Sequence, residues 1–490
     1  MLFTSSAFLP FLLLTFLLWL PAGRTGRKLV LIASSLVFYG AWDLRFLALL
    51  GAVWLVVFLA PQAMARAADP RARRRILTGG VTVLVGLLVT FKYLGFFAHV
   101  AGTLARACGL PGGDVTLRVL LPVGISFYTF QAISYLMDVY WERVPASRSV
   151  LDTALYVSFF PLVLAGPIER GARWLPQLER YQPVRLEHLR VGFERMLLGY
   201  LLKVGIADPI APFCNDVFAR AGTAGSGELL FGAYAYSLQI MTDFAGYSLI
   251  ARGVACCFGY EAVNNFEQPY FSRSFTEFWR RWHISLSSWI SEYLFAPIMS
   301  AVLRRVGRLR LATVEAEMRL AYPLVTVPVM LLVGLWHGAG FNYIVWGGLH
   351  GVFLSFERLA IFGKKSVSTR ARIRNAGDAL RAGLAVVLVF HLVTLAWVFF
   401  RADSLGAALL YLGRLFTAGG WSVPRARVLL LAISALVAFA IQAIEYRRRD
   451  DDAFRAVPGI LRGLAYGAAL VYCMVLGGSG GKVPFIYFQF

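Results

Sequence analysis

Apolar stretches long enough to cross a lipid bilayer recur from one end of this 490-residue chain to the other. A membrane helix needs about 20 such residues, or fewer where it is broken. Candidate spans fall near residues 6–22, 28–42, 45–62, 78–98, 118–140, 190–207, 228–250, 321–336, 341–361, 383–400, 427–444 and 460–477. Three weaker stretches, 151–167, 275–298 and 404–416, read as re-entrant or interfacial. Inside a bilayer each backbone N–H and C=O must be satisfied within the chain, so helices are the economical solution. The expected fold class is therefore an all-α polytopic membrane protein, a single integral-membrane domain over residues 1–490 with its core near 118–362.

Only 15% of residues are charged, against roughly 25% in soluble proteins. Lys and Arg nevertheless outnumber Asp and Glu 48 to 27, a net charge of +21. In a soluble chain that excess would suggest nucleic-acid binding. Here the cations cluster in short loops, at 24–28, 66–75, 304–310, 364–374 and 447–449, and the positive-inside rule accounts for them with no nucleic acid. All of these loops share one side if the N-terminus lies outside the cytoplasm. The first residues lack a basic n-region and lead into an apolar run without a clear cleavage site, so we expect a retained first helix. The five cysteines show no C-x-x-C spacing and indicate neither a disulfide framework nor a thiolate metal site.

Within this apolar background, His337 stands out. Tyr322–Leu335 before it holds no charge, and Asn342–Phe356 after it is apolar except for His350. An imidazole at that depth must find partners and marks a functional site by default. Gly338 and Gly340 allow the helix to stop beside it, a break tolerated only next to protein or a watery cavity. A helix-packing histidine is the plain alternative. Counted from a helix start at 321, His337 lies roughly 20 Å into a core about 30 Å thick. Substrates meeting there would need a funnel from at least one face.

Residues 275–298 read as one amphipathic helix. Phe275, Phe278, Trp279, Trp282, Leu286, Trp289, Ile290 and Tyr293 form a stripe, with Glu277, Arg280, Arg281, Ser287 and Ser288 opposite. Ser274-x-x-Glu277 forms a capping box at its start. An aromatic helix with a cationic face suits a membrane interface, and His283 sits at the stripe's edge, facing inward or snorkelling to water. Asp243, Asp138 and Lys92 interrupt other apolar segments and invite pairing with buried partners. Gly477-Gly478-Ser479-Gly480-Gly481 matches G-x-S-x-G but follows a membrane helix rather than a strand, so it lacks the setting of a nucleophile elbow.

Several segments together resemble the membrane-bound O-acyltransferase (MBOAT) family, in particular its bacterial alginate O-acetyltransferase (AlgI-like) branch. They are Leu121–Gln131, Phe160-Pro161 with Ala165–Ile168, Asn265-Phe266 through Pro269-Tyr270, Glu277–Trp289, Gly334–Ala339, and the closing Phe485–Phe490. The resemblance implies a bundle of about 11–13 transmembrane helices, with re-entrant and interfacial helices around a central funnel. It also implies two core histidines, here His283 and His337. Such proteins take an acyl group from a cytoplasmic thioester, acetyl-CoA in the polysaccharide branch, with no bound cofactor. They deliver it across the bacterial inner membrane, often to an SGNH-type periplasmic acetyltransferase that modifies a polysaccharide. One stretch departs from the branch: Asp243-Phe244-Ala245-Gly246-Tyr247-Ser248-Leu249 has Ala245 and Leu249 where a serine and a second acid are usual. In this it is similar to the teichoic acid D-alanylation (DltB-like) relatives.

On this reading His337 acts as the general base, and His283 orients the donor or stabilises the oxyanion. A covalent acyl-histidine is the alternative. Arg280 and Arg281 are candidates for the phosphates of coenzyme A, or for lipid headgroups. Trp336, Asp243 and His350 are further candidates to line the substrate path, His350 otherwise serving close helix packing beside Gly347-Gly348. A transporter with histidine proton relays is the competing class, and it calls for inverted repeats that the sequence does not display.

Overall fold

The computed structural model describes residues 1–109, 120–309, 311, 313–361, 375–448, 457–477 and 485–486. The basic segment 364–374, most of the G-x-S-x-G match, and 487–490 of the closing segment lie outside the described residues. Among the described residues the elements are α-helices, joined by short 3-10 and π-helical turns, with one isolated bridge, Phe266 to Trp282. Seven helices among the described residues are long and apolar enough to cross a membrane: Arg45–Arg66, Pro70–Lys92, Leu186–Ala219, Ile284–Leu309, Val314–His337, Ala376–Arg401 and Arg425–Arg447. Phe8–Trp19, Leu405–Thr417 and Gly459–Val475 are shorter apolar helices. The chain is thus a multi-pass, all-helical membrane protein, as its hydropathy requires.

Two compact units divide the chain. The first comprises Met1–Met196 and Tyr247–Val263. Its core gathers the rings of Phe3, Phe8, Phe38, Phe160 and Phe258. Charges in its apolar helices are partnered: Lys28 with buried Asp152, Asp138 with Arg143 at 3.4 Å, and Lys92 Nζ donating to Ser126 Oγ at 3.5 Å. Glu169 is fully buried, accepts the Val263 N–H at 2.6 Å and lies 3.5 Å from Arg173. Burial, opposed by the nearby arginines, pushes its carboxyl up to about 7. Because its folded-state pKa is raised above the ordinary 4.5, the folded chain holds this proton more tightly than the unfolded chain. Stability from this group is therefore present below about 4.5 and is lost as pH rises toward 7. Thermal unfolding should show a lower midpoint at pH 8 than at pH 5.5, and Glu169→Gln should shrink that difference. An unchanged difference in the variant would remove Glu169 as its source.

The second unit comprises Leu197–Gly246 and Asn264–Phe490. Its elements near the histidines are numbered here in chain order: α1 (Phe275–Arg281), α2 (Ile284–Trp289), α3 (Val314–His337), α4 (Phe341–Ile361), α5 (Ala376–Arg401) and α6 (Arg425–Arg448). Helix Ser226–Cys257 contributes Asp243 and Phe244 to it. A π-helical stretch, Leu201–Ala207, places Lys203 2.9 Å from Asp243 and 2.7 Å from Asp208. Such stretches widen the helix by one residue per turn and recur at functional sites.

The interfacial helix expected over 275–298 is corrected by the structure. α1 begins as foreseen, with Ser274 Oγ accepting the Glu277 N–H at 3.1 Å. It stops at Arg281, and a second helix runs from Ile284 through a π-helical segment toward Leu309, long and apolar enough to cross the membrane. The cause is tertiary. The Glu267 N–H donates to the Arg281 carbonyl at 3.0 Å, and the Ile284 N–H to that of Asn265 at 3.0 Å. The Ser285 N–H donates to Asn265 Oδ1 at 3.1 Å. These bonds replace helical ones across Trp282-His283.

Candidate active site

α3 and α4 form a hairpin that presents His337. α3 starts on Thr313, whose hydroxyl accepts the Ala316 N–H at 3.1 Å, and ends at His337, the break anticipated from the glycines. The two helices touch backbone to backbone. A Cβ on Gly334 would fall 2.1 Å from the Tyr343 carbonyl oxygen, and one on Gly347 2.1 Å from that of Met330. Glycine alone permits this approach, the small-residue packing typical of membrane helices. It sets the end of α3 against the face of α4 that bears Trp346 and His350, four residues apart and so on one side of the helix.

His337 is 3% exposed, and both its ring nitrogens are shielded from the surface. Three rings meet it nearly edge-on: Trp336 at 4.7 Å, Trp346 at 5.0 Å and Phe400 of α5 at 5.1 Å between centroids.

His283 is completely buried at the gap between α1 and α2, with φ of 44°. Left-handed backbone costs a non-glycine residue energy, and residues held there cluster at functional sites. Its ring stands at 90° to Phe244, 4.7 Å away, and 6.2 Å from Trp336. This differs from a position on the edge of an amphipathic stripe: the helix breaks before His283 and turns the side chain into the interior. Trp336 therefore lies against the rings of both histidines.

His350 is also fully buried, in a box of rings that includes Trp346 at 4.9 Å, Trp279 at 5.2 Å and Phe278 at 6.0 Å. Its two nitrogens have no hydrogen-bond partner among the described residues. Trp346 separates it from His337. Asp243 lies next in sequence to Phe244, with Oδ2 accepting the Ile486 N–H at 2.8 Å and Lys203 balancing its charge. It meets the buried-pair alternative raised from the sequence. Arg281 is likewise engaged, 2.6 Å from Glu277 and 5.5 Å from the Tyr446 ring, whereas Arg280 is exposed. No role was expected from the sequence for Trp346, Phe400 or Phe244, nor for Trp397, whose ring lies 5.0 Å from Trp282 and 5.4 Å from Trp346. Only the placement of Trp346 one turn before His350 hinted at any of them. Nor did it anticipate Glu357 of α4, which caps α1 by accepting the Phe275 N–H at 2.6 Å and favours the positive end of that helix.

The arrangement brings two buried imidazoles against one indole in an aromatic interior, which suits proton transfer and charge stabilisation. No group of three or more metal-ligating side chains occurs among the described residues.

Residues 142–314 match the family model described as MBOAT, membrane-bound O-acyltransferase family, a range that holds His283 and stops before His337. The chain is 36% identical over 450 residues to the probable alginate O-acetylase AlgI of Azotobacter vinelandii, covering 91% of this chain and 84% of the relative. It is 33% identical over 411 residues to the peptidoglycan O-acetyltransferase of Helicobacter pylori, 78% of this chain and 72% of the relative. Identity to the teichoic acid D-alanyltransferase of Bacillus subtilis is 28% over 285 residues, 57% of this chain and 68% of the relative.

Proposed function

Because the chain belongs to the membrane-bound O-acyltransferase family and is an O-acyltransferase, we propose that it moves an acetyl group from cytoplasmic acetyl-CoA across the bacterial inner membrane for O-acetylation of an extracytoplasmic, alginate-like polysaccharide. The carrying observation is the convergence of His283 and His337 on Trp336 from distant parts of the sequence. Relatives named for O-acetylation of alginate and of peptidoglycan support acetyl as the group and a polysaccharide as its destination.

In this reading neutral His337 removes the proton of an acceptor hydroxyl as its oxygen attacks the thioester carbonyl. The C–S bond then breaks and the coenzyme A sulfur leaves, taking up the proton. His283 donates a hydrogen bond to the oxygen that becomes negative in the tetrahedral intermediate. Exposed Arg280 supplies a cation for the donor's phosphates. The acceptor hydroxyl is assigned to a periplasmic SGNH-type acetyltransferase, which passes the acetyl group to the polymer. The distribution of basic loops supports an extracytoplasmic N-terminus.

The observation favouring D-alanyl transfer to teichoic acid is Ala245 and Leu249, which replace the usual serine and acid of the alginate branch. The greater identity and coverage of the O-acetylases weigh toward acetyl. Proteoliposomes holding the purified chain decide between them. Given radiolabelled acetyl-CoA outside and the SGNH-type partner with polysaccharide inside, they should accumulate labelled acetyl ester on the lumenal side. Label arriving only from a D-alanyl carrier protein would overturn the acetyl assignment.

A further inference from the structure

Within the second unit, away from the histidines, a cavity of about 370 Å³ lies among helix Ser226–Cys257, the turn Pro269–Phe271, α5 and α6. Phe231, Tyr234, Tyr270, Phe390, His391 and Phe439 line it. Its polar atoms are spent on one another or on backbone. The Tyr270 hydroxyl donates to the Ser237 carbonyl at 2.6 Å. His391 Nδ1 lies 2.7 Å from the Val387 carbonyl, which can only accept, so Nδ1 holds the proton. The Tyr234 hydroxyl is hydrogen-bonded to Nε2 at 2.9 Å. A buried water needs two to four polar partners, which these walls do not supply. The cavity is an apolar slot.

The surroundings of its mouth determine what fills it. His391 and Ala432 are exposed there. On the same two membrane-crossing helices, Leu384 and Leu388 of α5 and Leu429 and Leu436 of α6 are each at least 60% exposed. His391 stands about 22 Å from the start of α5 and about 15 Å from its end, at the depth of the hydrocarbon core. An ionisable side chain exposed at that depth is a marker of function. The medium outside the mouth is lipid chain, and 370 Å³ is at the small end of the usual range of ligand sites, roughly 300–1,000 Å³.

We propose that this cavity is a lipid site that takes one alkyl chain of a bilayer lipid from the side, between Phe390 and Phe439, with the Tyr234–His391 pair as part of its wall. Tyr270 connects it to the acyl-transfer region: its ring lies 5.2 Å from Phe390 and stacks 6.3 Å from Trp282, the residue before His283. A chain in the slot therefore rests one layer of rings behind the strained turn that holds His283. The lipid site does not depend on the acyl-transfer reading and is tested without it.

The full chain is placed in nanodiscs whose phosphatidylglycerol bears a diazirine on one acyl chain, irradiated, and mapped by mass spectrometry. Labelling of peptides containing Phe231–Tyr234, Phe390-His391 and Phe439 should exceed that of exposed Leu13 and Leu17 at least fivefold. Ala435→Phe, which adds a ring to a lining position, and Ala432→Trp, which obstructs the mouth, should each remove most of that excess while labelling at Leu13 and Leu17 stays constant. Where Ala435→Phe fails to fold, Ala432→Trp decides. Equal labelling of slot and outer surface, or an excess that survives these substitutions, overturns the proposal.

Discussion

His337→Ala is expected to lower acetyl transfer by about 10²- to 10⁴-fold, the usual contribution of a positioned general base. The substitution should leave the α3–α4 hairpin in place. The helix already ends at this residue, and the contacts that fix the hairpin belong to Gly334 and Gly347. Alanine is also a strong helix former, so no backbone penalty arises. The cost is a small void among Trp336, Trp346 and Phe400. The measurement is initial rate of acetyl transfer in proteoliposomes beside a thermal unfolding curve of the same preparation. A rate within threefold of the parent, with an unchanged unfolding midpoint, would remove His337 from the chemistry. Because three rings enclose the imidazole, Trp346→Ala offers a control that opens access without removing the base.

His283 separates a backbone role from a chemical one. Its left-handed φ makes glycine the natural replacement, since glycine adopts that conformation at no steric cost. His283→Gly should therefore keep the turn between α1 and α2, held by the Asn265 hydrogen bonds, and still lose about 10²- to 10³-fold in rate if the imidazole stabilises the oxyanion. His283→Ala should lose the same activity and some stability as well, because alanine pays for the positive φ. Equal rates for His283→Gly and the parent would show that the residue serves only the turn. The two histidine substitutions act on one transition state through one shared indole, so their combined effect should fall well short of the product of the single effects.

Much of this was legible in the sequence for a simple physical reason. Uncharged runs of bilayer length must become helices, and Gly338 and Gly340 after a polar residue allow one to end, so α3 and the break at His337 followed from local chemistry. The start of α1 followed from Ser274 and Glu277 in the same way. The continuation of that helix did not. The aromatic period across 275–298 is a sound helical pattern, and only hydrogen bonds from residues 265–267, outside the window that a periodicity argument inspects, override it. His283 was accordingly expected to be able to face inward, as it does, but it sits at a helix break and not within a helix. Asp243 shows the opposite case: its need for a partner was plain, but Lys203 as that partner depended on how one helix lies beside another.

The sequence alone determined the solvent of this protein and its helical class, and it made His283 and His337 the candidates for its chemistry. Hydrophobicity and local backbone preference are properties of short segments, and they are strong where no water can compete. Tertiary structure decided that both imidazoles meet Trp336, that Trp346, Phe400 and Phe244 surround them, and that an alkyl-sized slot opens beside His391. Those outcomes depend on side chains from segments tens to more than a hundred residues apart, placed by backbone contacts that only glycine permits and by hydrogen bonds between loops, and no local pattern encodes such meetings.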